Sequence, residues 1–174
     1  LVGEARMSQG RAAEGRTALE RALEHTSRTA APRTWNAVLF EIGMCLLDGP
    51  APLAEAAAFA RLQLDLARAE ELRGVEADML HVLGAGLGRQ GDFDAGRAAL
   101  EEASAISEEL GLRYMAGAGY DPTEAVTFWQ RMLALEGGDG PPAFLSTHPA
   151  SGQRIEALEA LLPTLGNGQR PKGS

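Results

Sequence analysis

Gly91-Asp92-Phe93-Asp94-Ala95-Gly96-Arg97-Ala98-Ala99-Leu100-Glu101-Glu102-Ala103 is the stretch from which the architecture is read. It aligns without a gap on Gly10-Arg11-Ala12-Ala13-Glu14-Gly15-Arg16-Thr17-Ala18-Leu19-Glu20-Arg21-Ala22, 81 residues earlier. A weaker middle copy is Ala51-Pro52-Leu53-Ala54-Glu55-Ala56-Ala57-Ala58-Phe59-Ala60, with Leu53 matching Phe93 and Ala56 matching Gly96. Steps of 40 and 41 residues make a repeat of two helices per unit, each burying little alone and stabilised by stacking. Small residues at Gly15, Ala56 and Gly96 predict a close approach of the paired helix. Large residues at Leu53 and Phe93 are expected to fill the space at the turn.

Working outward, leucine and alanine spacing predicts helices over residues 11–28, 33–47, 53–73, 75–89 and 93–110. Thr29 to Pro32, Asp48-Gly49-Pro50-Ala51-Pro52, Arg73-Gly74 and Gln90-Gly91-Asp92 are read as the breaks, since proline removes a donor and glycine loosens the backbone. Connections this short imply antiparallel neighbours. Hydrophobic residues make up 45% of the 174, aromatic residues 5% and charged residues 23%, so the core must be built from alanine and leucine. The formal charge is −8, from 24 acidic and 16 basic residues, and arginines stand singly among acids. No basic block is present to grip a phosphate backbone, which argues against nucleic acid as a partner.

No apolar run approaches the ~18 residues of a membrane span, so no membrane partner is expected. No signal peptide is visible either, but the chain begins at Leu1 and that carries little weight. Cys45, the single cysteine, lies within Val38-Leu39-Phe40-Glu41-Ile42-Gly43-Met44-Cys45-Leu46-Leu47 and reads as a buried structural thiol. Gly84-Ala85-Gly86-Leu87-Gly88 lacks the strand, lysine and hydroxyl of a phosphate loop, and close helix packing explains it better. His81 reads as a partly buried helical histidine, and the pairs Glu101-Glu102 and Glu108-Glu109 as solvent-facing.

Residues 1–116, and most of all Leu87-Gly88-Arg89-Gln90-Gly91-Asp92-Phe93 and the run that follows, resemble the tetratricopeptide-like regions of large bacterial ATPase-type regulators. The period is longer than the ~34 residues of the standard repeat and the Trp-Leu-Gly-Tyr signature is incomplete. That resemblance implies a right-handed solenoid of antiparallel helix pairs and a role in binding a protein or peptide segment. The expected groove involves residues 33–47 and 75–89, with Arg33, Arg89 and Arg97 as candidate contacts to an acidic partner.

Beyond the repeats, Asp121 is placed to cap a helix, with Pro122 in its first turn and Glu124 three residues on. Val126, Phe128, Trp129, Met132 and Leu133 give that helix an apolar side, and Ser151 opens a last helix with Ile155, Leu158, Leu161 and Leu162. This pair is expected to cap the solenoid, with Phe128 and Trp129 as capping contacts. The expected divisions are residues 1–118, 119–163 and a flexible tail over 164–174.

Gly111-Leu112-Arg113-Tyr114-Met115, Ala118-Gly119-Tyr120-Asp121-Pro122, Phe128-Trp129-Gln130-Arg131-Met132, Phe144-Leu145-Ser146-Thr147-His148-Pro149 and Arg154-Ile155 resemble, in order and spacing, the C-terminal half of M48-family zinc metallopeptidases. The resemblance implies a zinc site of two histidines from a HExxH helix and a downstream glutamate. No HExxH occurs in these 174 residues, and Ile106 stands where that glutamate would be, five residues before Gly111. Glu108 matches an acidic position three before the same glycine. His148 is a weak candidate for metal contact, and positioning of its own loop is the plainer reading.

The expectation is therefore a non-enzymatic, all-α repeat module without a cofactor. The alternatives are a fragment or degenerate relative of an M48 peptidase that lacks its catalytic motif, and an engineered or structural chimera with no evolved activity. A cytoplasmic setting is expected, or an extracytoplasmic one if the M48-like segment reflects the parent protein.

Overall fold

The computed structural model describes residues 9–26, 32–135 and 151–165. They form α1 (Ala12–His25), α2 (Pro32–Asp48), α3 (Leu53–Ala69), α4 (Arg73–Arg89), α5 (Phe93–Gly117), α6 (Thr123–Leu135) and α7 (Ser151–Leu161), then a 3-10 turn (Leu162–Leu165). No strand occurs among the described residues, so the architecture is all-α. None of these helices is long and apolar enough to cross a membrane. Two compact units divide between Ser104 and Ala105, inside α5 and upstream of the boundary at 118 read from the sequence. The reason is that α5 continues through Gly111, where its predicted end at Leu110 is overrun, and its later turns pack with the C-terminal helices.

In the first unit α1 packs on α2, α3 packs on α4, and α2 reaches both α3 and α4. The core is the alanine and leucine set that the composition demands. Leu39, Leu46, Ala56, Ala60, Ala67, Met79 and Val82 are all essentially inaccessible, each large one contributing roughly 1.5–3 kcal/mol of burial. Cys45 is buried among them, and burial pushes its thiol up to about 11, which leaves it unreactive.

Glycines set how close these helices come. A Cβ on Gly43 would lie 2.7 Å from Val82 Cγ2, joining α2 to α4. One on Gly84 would lie 2.8 Å from the Gly96 carbonyl oxygen, and one on Gly96 would lie 2.9 Å from both the Gly84 oxygen and the Gly88 nitrogen. The glycine-rich run 84–88 is thus a helix contact surface, and Gly96 has the role its place in the repeat implied. Phe93 does not, because its side chain is 70% exposed. Gly84, Gly96 and Leu100 already occupy the approach of α4 to α5, so a ring at the first position of α5 is left in solvent.

Three turns share one design. The amide after the left-handed residue reaches back five residues, in Leu72 to Ala67, Asp92 to Leu87 and Tyr120 to Met115. The left-handed residues are Glu71, Gly91 and Gly119, with φ of 56°, 91° and 84°. Such bonds satisfy the last carbonyls of α3, α4 and α5. They also correct the expected break at Arg73-Gly74. The chain turns at Glu70-Glu71-Leu72, and Arg73 and Gly74 lie in the first turn of α4. Asp121 caps α6 as expected, accepting from the Thr123 amide at 2.9 Å and its hydroxyl at 2.8 Å. Of the tail expected over 164–174, residues 164 and 165 belong to the 3-10 turn, and 166–174 lie outside the described residues.

Gly96→Ala should lower the urea midpoint, at a cost of about 1–3 kcal/mol, because its methyl meets backbone that cannot move aside. Gly111→Ala, with nothing within 4 Å of the added methyl, should raise it by up to about 1 kcal/mol. A destabilising Gly111→Ala would mean that α5 does not pass through residue 111 as a helix.

Candidate functional site

The M48-like motifs fall in the second unit, so its side chains are the first place to look for chemistry. Leu112 of α5, Val126 of α6 and Leu158 of α7 form its core, with Ala125, Trp129, Ile155, Leu161, Leu162 and Leu165 packed against them. Leu112 is 1% exposed and holds the α5 face on which Glu108, one turn earlier, also sits. Glu108 is half-buried, not solvent-facing as its sequence implied. It accepts from Arg154 Nε of α7 at 2.7 Å, with both side chains less than a fifth exposed. The Arg154 guanidinium lies 4.3 Å over the Trp129 ring, and Phe128 meets Trp129 edge to face at 5.4 Å. Glu108, Trp129 and Arg154 therefore bind α5, α6 and α7 through one ion pair and one cation–π stack.

This group orders helices, and it lacks the donors for metal chemistry. Zinc needs three or four nitrogen, sulfur or carboxylate ligands converging on one point. No group of three or more His, Cys, Asp or Glu could hold a metal among the described residues. Ile106, which the resemblance sets in the place of the third ligand, is 3% exposed and has no donor atom. His148 and the rest of the 144–149 stretch lie outside the described residues. The described residues do not fit a zinc site.

The candidate partner-binding arginines are not brought together. Arg89, at the end of α4, donates to the Leu47 carbonyl and to Asp48 Oδ1 at 2.8 Å, tying α4 to the end of α2. Arg33 and Arg97 are exposed and have no ion-pair partner among the described residues. His81 is exposed rather than partly buried, its ring 5.9 Å from that of Phe40.

Sequence reasoning also missed a buried carboxylate. Glu76 of α4 is 6% exposed and accepts from Arg68 Nε of α3 at 3.0 Å and from Arg73. Arg68 also reaches Glu102 of α5 at 2.7 Å, and the bond to Glu76 is the main reason its guanidinium holds its proton still more firmly. The available signal was charge spacing, since Arg73 precedes Glu76 by one helical turn.

Residues 100–162 match the family described as Peptidase family M48. The mitochondrial metalloendopeptidase OMA1 of Schizosaccharomyces pombe is 47% identical over 58 residues, which are 33% of this chain and 17% of that protein. Its counterpart in Saccharomyces cerevisiae is 40% identical over 62 residues, covering 33% of this chain and 18% of that protein. The OMA1 metalloendopeptidase of Homo sapiens is 39% identical over 62 residues, covering 34% and 12%. This chain thus spans less than a fifth of the length of these relatives. No solved structure matches it.

Arg154→Ala should destabilise the second unit by about 2–3 kcal/mol, since it removes the ion pair and the stack together. Glu108→Gln keeps an acceptor and the stack and should cost less. Denaturation followed by Trp129 fluorescence, in a Trp35→Phe background, measures both.

Proposed function

We propose that this chain is a non-catalytic relative of the M48-family metallopeptidases, in which the family's C-terminal helical segment persists as a packing and protein-contact module. The carrying observation is Ile106. It lies inside the segment that matches the family, stands where the resemblance places the third zinc ligand, and is 3% exposed. A HExxH helix contributed by any other segment or chain would still meet a hydrocarbon there in place of a carboxylate. The side chains that hold the segment together, Glu108, Leu112, Trp129 and Arg154, are meanwhile all present and engaged. The packing of the family segment is retained and its metal chemistry is not.

The second reading is that the first unit works as a tetratricopeptide-like repeat module that binds a protein or peptide segment. It is favoured by the exposed Leu62 and Phe93, at 66% and 70%, and by the exposed Arg33 and Arg97, which are free to meet an acidic segment. Arg89 contributes less, because Asp48 already occupies it.

Metal analysis of the purified chain should find zinc far below one ion per molecule, and a casein assay no cleavage. Ile106→Glu should destabilise the fold by burying an unpaired carboxylate, without conferring zinc binding. Stoichiometric zinc with casein cleavage that is lost on His148→Ala would overturn the proposal.

A further inference from the structure

The outer side of α6 carries apolar side chains that the packing of its own unit does not use. Ala125, Val126 and Trp129 turn one side of the helix onto the core of Leu112 and Leu158. Away from them, Glu124, Phe128, Arg131 and Leu135 follow one another at spacings of four, three and four residues. At 3.6 residues per turn these four lie within about 60° of one another around the axis. Phe128 is 53% exposed and Leu135 81%, and both charged residues are exposed as well. Tyr120, exposed too, stands in the turn that leads into α6.

Glu124 and Arg131 are two turns apart, about 10 Å along the axis, too far to pair within one helix. Neither has an ion-pair partner among the described residues. Their order decides what the stripe fits. An identical helix laid alongside in the parallel sense would set Glu124 on Glu124 and Arg131 on Arg131. Turned end for end about a point between Thr127 and Phe128, it sets Glu124 on Arg131 twice over. The same turn brings the two Phe128 rings together at the centre and puts Leu135 level with Tyr120 of the other copy. A surface that complements itself under a two-fold rotation is what a dimer of identical chains requires.

We infer that the outer face of α6 is a docking surface for a second copy of this chain, paired antiparallel through Phe128 and Leu135, with Glu124 meeting Arg131 on each side of the axis. The inference rests on the reading of the C-terminal segment as a protein-contact module, and it names the partner. A purely acidic or purely basic surface would match one of the two charges and oppose the other, whereas the chain's own α6 matches both. A standard interface buries about 800 Å² on each side, and the face of one 13-residue helix offers less, so the dimer is weak and concentration-dependent.

Sedimentation velocity of the full chain from about 10 μM to about 1 mM should show a reversible monomer–dimer equilibrium, a measurement that needs no variant to fold. Glu124→Arg and Arg131→Glu should each weaken it by roughly tenfold or more, because the two-fold axis counts each reversal twice. An equimolar mixture of these two variants should dimerise again, one chain presenting two arginines and the other two glutamates. Leu135→Ser should weaken the dimer too, whereas Leu62→Ser, at an exposed leucine of the first unit, should leave it unchanged. A chain that stays monomeric up to about 1 mM overturns the inference and leaves the face to residues 136–150 or to a different protein. A dimer that either charge reversal leaves intact, or that the mixture fails to restore, overturns it as well. None of these results bears on zinc content or casein cleavage, so the inference and the non-catalytic reading of the chain fail separately.

Discussion

Close approach of helices through glycine is the constraint on which the first unit depends. Where Gly84 and Gly96 bring α4 and α5 together, backbone atoms stand where a methyl group would have to fit. At such spacing only short side chains can fill the interface, which is why Ala56, Ala60 and Ala67 carry so much of the core and aromatic residues so little. The same closeness explains why the contact tolerates few polar groups, and why those present are paired. Glu76, for one, is answered by two arginines.

The second unit is held differently. Its apolar core is small, and three side chains from three helices close over it. Arg154 pairs with Glu108 and covers the Trp129 ring, so that one guanidinium satisfies a carboxylate and shields an indole at once. These residues lie in the segment shared with metallopeptidases of the M48 family. Ile106, in the same segment, is buried and has no donor atom.

The helices and their order were legible because alanine and leucine spacing is a local property, and Gly91 and Asp121 are local signals with one strong reading each. The break after α3 was misplaced because Glu71 adopts a left-handed backbone that its residue type does not advertise. Phe93 was misjudged for another reason. Its place in the repeat says that something could pack there, but the ring is 70% exposed. Glu108 and Glu109 look alike in sequence. Only the first faces Arg154, since adjacent residues on a helix point about 100° apart.

The chain by itself determined that the protein is helical and that its helices pack through small residues. Those follow from residue identity and short-range periodicity. Tertiary structure decided where α5 ends, where the two units divide, and which charges are used up internally. Arg89, Glu76 and Glu108 each acquired a role from a partner on another helix, the nearest eight residues away and the others more than forty. A distance of that kind is set by how helices stack, and no local pattern encodes it.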